Sequence, residues 1–267
     1  GGLTSMLAAA SILSKHPPKG DVIIAGVVDE EAYSAGTESL LTQDLSVDMA
    51  VVFEPSELDV VVAHKGFGWL RIVTKGVAAH GSKPKEGVDA IVHMGQVLTA
   101  IDRHSTFLSQ QKPHPRLGER SIHASLIRGG RELSSYPDHC SLDIERRTLP
   151  GESGNEIHTE VQEILNNLAY DPPLQAELEL SFFRPAFEIS ESENLPQKMS
   201  ESVTRQTGSC NFVGMSAWTD AALFRKSGIP AIVFGPGGAG LHGIDEYGDT
   251  DQICHCRDIL VDFAQSF

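Results

Sequence analysis

Asp29-Glu30-Glu31 sets three carboxylates side by side, directly after the apolar run from Asp21 to Val28. Adjacent glutamates can divide the work of a hydrolase: one binds a metal ion and its neighbour moves a proton. A further acid, Glu54, stands before Pro55 at the end of a second apolar run, Met49 to Phe53. A histidine, His242, closes the glycine-rich stretch that begins at Gly235, after a third apolar run. Carboxylate and imidazole are both ligands of divalent cations such as zinc. Alone, the acidic triplet reads as no more than a solvated loop. Three apolar runs that each end in a ligand type, with one acid to spare, read as a hydrolytic metal site.

These side chains need elements to hold them. The run to Val28 is short and rich in β-branched residues, so it is expected to be a buried parallel strand with the acids at its carboxyl end. Open α/β sheets place their sites at such ends. Leu3 to Lys15 is expected to be a helix with Leu3, Met6, Leu7, Ala10 and Leu13 on one face, stopped by Pro17-Pro18. A helix is expected to begin near Ser34, and a second strand spans Met49 to Phe53. From Trp69 the character changes. Strand-like alternation at 69–74, 121–127, 140–144 and 174–182 is interleaved with helical spacing at 87–107 and 157–168. The resulting order, β-α-β-β-α-β, is a split βαβ arrangement with one antiparallel sheet and two helices on one face. After Arg184-Pro185 the α/β pattern resumes, with helices at 195–207, 219–225 and 249–264 and a strand at 229–234. The fold class is therefore α/β, a mixed-sheet catalytic domain with an inserted ferredoxin-like domain. The expected boundaries are 1–59, 60–182 and 183–267.

Composition narrows the partners. The chain has 267 residues, of which 40% are apolar, and a net charge of -15. That charge argues against nucleic acid and anionic membranes as partners, since both are bound through basic patches. No apolar run approaches a membrane span, and the first residues lack the basic leader of a signal peptide. Four cysteines form no secreted disulfide pattern, so a reducing cytoplasm is expected. Cys254-His255-Cys256 lies in a helical stretch and lacks the second half of a zinc site.

In this order the motifs resemble a family of zinc-dependent amidohydrolases and metallopeptidases. The family includes acetylornithine deacetylase, succinyl-diaminopimelate desuccinylase, aminoacylase and bacterial glutamate carboxypeptidase. The resemblance rests on Asp29-Glu30-Glu31, Phe53-Glu54-Pro55, Lys65-Gly66, the stretch from Gly76 through His80 to Pro84, and Gly129-Gly130. It continues through Arg147 to Glu152, Thr219-Asp220-Ala221, and Gly235-Pro236 through His242 to Glu246-Tyr247. It implies that Glu31 and His242 hold one zinc and Glu54 another, two per subunit, with cobalt or manganese as substitutes. It implies Glu30 as general base and then general acid. His80 is similar to the histidine that crosses a dimer interface to a partner's site, and Arg147 to the arginine that grips a substrate carboxylate. Residues 60–182 would then carry a homodimer interface, built from edge strands or helices. Ser134 stands where the family often has a substrate-facing asparagine.

The resemblance also implies ligands that this sequence does not contain: a His-x-Asp strand end and an aspartate that bridges the metals. A weakened site and an exposed sheet edge or apolar surface are therefore expected. The function implied is hydrolysis of an amide bond in N-acyl amino acids or small peptides, as in a deacylase. The alternatives are a metallo-carboxypeptidase or dipeptidase of the same family, and a non-catalytic fragment or binding and oligomerising relative. Asp220 reads as a helix cap, Glu57 and Asp59 as surface acids, Arg146 as a structural residue on the strand face opposite Arg147, and Asp29 as a support for the metal ligands.

Overall fold

The computed structural model describes residues 1–43, 46–169 and 173–267. In chain order the elements begin α1 (Gly2–Leu13), α2 (Ala35–Leu41), β1 (Ala50–Val52), β2 (Val60–His64) and β3 (Gly66–Lys75). They continue α3 (Ala90–Ser109), β4 (Ser121–Gly129), β5 (His139–Thr148), α4 (Gly154–Asn166), β6 (Gln175–Arg184) and β7 (Phe187–Glu188). The chain closes with α5 (Asn194–Thr207), β8 (Phe212–Met215), α6 (Ala221–Lys226), β9 (Ala231–Val233), β10 (Gly238–Ala239), β11 (Tyr247–Gly248) and α7 (Thr250–Gln265). They form two compact units, one made of 1–64 with 187–267 and the other of 65–186.

The first unit is built on a mixed sheet ordered β1-β9-β2-β7, with β8 also paired to β2. β1 runs parallel to β9, whereas β2 is antiparallel to β9 and β7 and parallel to β8. Val60 to Ala63 are all within 1% of complete burial, and Ala231 to Phe234 are wholly buried. Met199, Val203, Cys256 and Ile259 from α5 and α7 pack into the same core. β2 carries no alternation because both its faces are covered, which is why a period-2 search passes over it.

Two expectations for this unit are corrected. Residues 21–29 run without assigned strand structure, and β1 stands at the end of the sheet without pairing to them. Val22, Ile23, Ile24, Val27 and Val28 are 39–71% exposed, so the expected buried parallel strand is instead an uncovered apolar segment. β-branched composition favours an extended chain, but a strand also requires a hydrogen-bonded neighbour. In α1 the buried side is Ser5, Ala9 and Leu13, while Leu3 and Leu7 are more than half exposed. The helix packs on α7 through its small residues, and Ser5 Oγ donates to the Ile253 carbonyl at 3.0 Å.

The second unit has the order β3-α3-β4-β5-α4-β6, with an antiparallel sheet ordered β4-β5-β3-β6. The Asp89 side chain caps α3 by accepting from Ile91 and Val92, and Ser153 with Glu156 forms a capping box on α4. The helical stripes Met94, Val97, Ile101 and Ile157, Val161, Leu165 cover Leu70, Ile72, Leu142 and Ile144 of the sheet. β5 alternates strictly, so Arg146 joins the buried face, fully shielded from solvent, while Arg147 is partly exposed. Arg146 is paired with Glu152 at 2.9 Å and Glu160 at 3.0 Å, and Glu160 also meets His104 at 2.8 Å. Burial opposes ionisation of Glu160, but hydrogen bonds from His104 and Arg146 outweigh it and hold the carboxyl at about 2.

Candidate metal and catalytic site

In the first unit, strand ends and loop turns bring the sequence-nominated acids and histidine together. Glu30 and Glu31 lie in the turn after the extended segment, where Asp29 adopts a left-handed φ of 70°. That turn is stitched to α2: the amides of Ser34 and Gly36 donate to the carbonyls of Asp29 and Val28 at 2.6 and 3.1 Å. The Ala35 amide donates to the Asp29 carboxylate at 3.2 Å. Asp29 thus shapes the loop that carries the two glutamates.

Glu54 follows β1. The end of β1 runs beside the end of β9, and a Cβ at Gly235 would stand 2.4 Å from the Glu54 carbonyl oxygen, so only glycine permits that approach. Beyond Gly235 the chain forms β10, and His242, with a φ of 60°, lies in the turn between β10 and β11. His242 Nε2 lies 4.0 Å from Glu31 Oε2, and both side chains are open to solvent. This is the ligand pair that the resemblance assigns to one metal. Among the described residues no three His, Cys, Asp or Glu side chains are grouped closely enough to enclose a metal ion as they stand.

The electrostatics bind the group together. Burial pushes Glu30 up to about 7, aided by Asp220 and Glu31 and opposed by His242. Burial pushes Glu54 to about 7 as well, reinforced by Glu30, Glu31 and Asp220. Acids crowded together in this way resist ionisation unless a cation joins them. The donor set of carboxylate oxygens and one imidazole suits a divalent cation.

One residue was misread from sequence, and another has partners that sequence did not show. Asp220 precedes α6 but makes no side-chain cap; Thr219 Oγ1 instead accepts from the Ala221 amide at 3.3 Å. The Asp220 carboxylate is 97% buried and accepts from Thr37 Oγ1 at 2.5 Å. Glu57 is exposed, as expected of a surface acid, and it is also hydrogen-bonded. Its carboxylate accepts from the Gly238 amide at 3.1 Å and from Gln252 Nε2 at 2.7 Å, bracing the turn that leads to His242. Spacing could not find either contact, because each joins residues more than 180 positions apart.

The remaining nominated residues belong to the second unit. His80 is exposed in a loop, its Nδ1 2.8 Å from Ser82 Oγ. It bridges to Ser135, and the Gly81 amide donates to the Ser134 carbonyl at 2.7 Å, so His80 and Ser134 share one locality. Arg147 donates to Glu145 at 2.7 Å and its guanidinium lies 5.2 Å from the centre of the Phe67 ring. Cys254 and Cys256 sit on α7, the second wholly buried, its thiol pushed up to about 11 by burial.

Comparison with known proteins places this arrangement. Residues 62–172 match the peptidase dimerisation domain of the M20 peptidases. Acetylornithine deacetylase of Buchnera aphidicola is 26% identical over 97% of this chain and 68% of its own length. N-formyl-4-amino-5-aminomethyl-2-methylpyrimidine deformylase of Bacillus subtilis is 23% identical over 100% of this chain and 69% of its own. Among solved structures, aminopeptidase PepT of Bacillus cereus superposes with a TM-score of 0.79 at 17% identity, covering 99% of this chain and 69% of that one. A dinuclear metal-binding M20 peptidase of Bacillus subtilis gives 0.75 at 17% identity, covering 98% and 70%. The chain thus spans about two thirds of the length of these proteins. Residues 62–172 thus belong to the peptidase dimerisation domain family, and the chain is similar along nearly its whole length to acetylornithine deacetylases and has the fold of M20 peptidases.

Proposed function

We propose that this protein hydrolyses an amide bond in an N-acyl amino acid or small peptide, using a divalent metal with zinc as the first choice. The observation that carries this reading is the convergence of Glu30, Glu31, Glu54 and His242 in one locality of the first unit. A bound cation supplies Lewis acidity to the amide carbonyl and makes water more acidic. Glu31 and His242 would hold one ion and Glu54 another. Glu30 takes the proton from the attacking water as the new C–O bond forms. It returns that proton to the nitrogen as the C–N bond breaks, so the products are a carboxylic acid and an amine. The Arg147 guanidinium is the two-pronged partner for a substrate carboxylate. His80 donates to the developing oxyanion, reaching the site of a partner subunit in a homodimer formed through the second unit.

Deacylation is favoured over peptide cleavage because the two sequence relatives described above are named for removing an acetyl and a formyl group. The test is a panel of N-acetyl, N-formyl and N-succinyl amino acids and dipeptides, assayed with added Zn²⁺, Co²⁺ or Mn²⁺. Acyl amino acids are expected to be cleaved. Glu30→Ala is expected to reduce turnover by roughly 10²–10⁴-fold while metal content stays level. Turnover that survives Glu30→Ala would remove Glu30 as the base. A protein that takes up no metal and cleaves nothing on the panel would be a non-catalytic relative.

A further inference from the structure

Asp220 is the feature that the mechanism above does not use. Its carboxylate is 97% buried, yet only Oδ2 is engaged, by Thr37 at 2.5 Å; Oδ1 is buried with no hydrogen-bond donor among the described residues. The helix it precedes makes no use of it as a cap. A buried carboxylate oxygen left without a donor is unfavourable, and more so beside other acids. α6, which Asp220 introduces, packs on β1, the strand that delivers Glu54. Thr37 lies in the first turn of α2, and the opening of that helix is hydrogen-bonded to the loop carrying Glu30 and Glu31. The Thr37–Asp220 bond therefore ties both acid-bearing segments to one buried anion.

We propose that Asp220 is a positioning and charge-supplying residue of the metal site, held by Thr37 so that its free oxygen raises the affinity of the acidic cluster for a divalent cation. This rests on the reading of Glu31, Glu54 and His242 as metal ligands. The uncompensated oxygen and the tie between the two acid-bearing segments are then parts of one design. The unpartnered oxygen costs free energy in the metal-free protein, and the charge of a bound cation would offset that cost. A merely structural tie between α2 and α6 would need no charge, since an amide oxygen accepts from a threonine hydroxyl equally well.

The test is Zn²⁺ titration by calorimetry on the full chain, paired with melting temperatures in EDTA. Asp220→Asn keeps the acceptor for Thr37 and removes only the charge. It is expected to weaken Zn²⁺ binding at least tenfold, while the metal-free melting temperature stays level or rises. Thr37→Val keeps the charge but frees the carboxylate, and is expected to weaken binding by a smaller factor. Wild-type affinity in Asp220→Asn, or a loss of metal-free stability with unchanged affinity, would reduce Asp220 to a structural tie and overturn the proposal. If Asp220→Asn fails to fold, Thr37→Val decides: unchanged Zn²⁺ affinity overturns the proposal and weakened affinity supports it. A wild-type protein that binds no Zn²⁺ would instead remove the metal reading itself, a result distinct from either variant's failure.

Discussion

Arg146 and Arg147 are chemically identical neighbours with opposite fates. Strand alternation sends the first into the second unit's interior, where Glu152 and Glu160 neutralise it, and leaves the second a third exposed on the other face. Removing one partner from a buried pair strands the other charges, so Arg146→Ala is expected to destabilise the protein by about 3–5 kcal/mol. Arg147→Ala breaks a partly exposed pair with Glu145 and is expected to cost less than about 1 kcal/mol, with its effect appearing in substrate affinity instead. Urea unfolding of both variants separates the two roles. The same network has an acid limit. The Glu160 carboxyl sits lower in the folded protein than in the unfolded chain. Its contribution is therefore present above about pH 4.5 and is lost as pH falls toward about 2. Arg146→Ala should blunt that acid sensitivity. The alternation behind this pair was legible in the sequence, whereas the partners of Asp220 and Glu57 were not. Strand period is a local property, while those hydrogen bonds depend on how distant loops meet.

Elements were most legible where one face is buried and the other is wet. β5 and α4 follow their periodicity closely, because burial on one side imposes a period of two or of about 3.6. The reading failed where burial is uniform or the buried face is made of small residues. β2 is covered on both faces, and α1 buries serine and alanine against α7 while leucines stand outside. The segment from Asp21 to Val28 failed differently: its composition is that of a strand, but no neighbouring strand pairs with it among the described residues. Two adjacent strand ends, β1 and β9, set the spacing between Glu54 and the chain that leads to His242. Gly235→Ala would force a methyl group against the Glu54 carbonyl. The expected cost is about 1–3 kcal/mol, with Zn²⁺ affinity falling alongside stability. Unchanged affinity in a destabilised variant would show that the strand ends can part without disturbing the ligands.

At the scale of the whole molecule, the second unit offers an edge suited to self-association. β4 stands at the border of its sheet with Leu126 and Ile127 about half exposed, and α3 presents Ile91 and Val92. An edge strand with apolar side chains is a template for a second copy. Sedimentation equilibrium is expected to give a dimer, and Leu126→Glu with Ile127→Lys a monomer. If His80 serves a partner's site, the monomer should keep its metal and lose turnover. A monomer with full turnover would confine His80 to its own subunit. No helix of the described residues is long and apolar enough to cross a membrane.

The way the chain passes between its two units has a genetic consequence. The second unit begins at Lys65 and ends at Ala186, and its terminal strands β3 and β6 are neighbours that pair Phe67 with Arg184. The remaining chain is likewise joined at the cut, because His64 pairs with Phe187 across β2 and β7. A segment whose two ends lie together can be gained, lost or exchanged without redrawing its host. The host sees only a short loop, and lengthening a loop adds little entropic cost. Residues 65–186 thus have the form of a cassette. A gene could acquire a different cassette, with a different self-association surface, and keep the acids and histidine of the first unit where they stand.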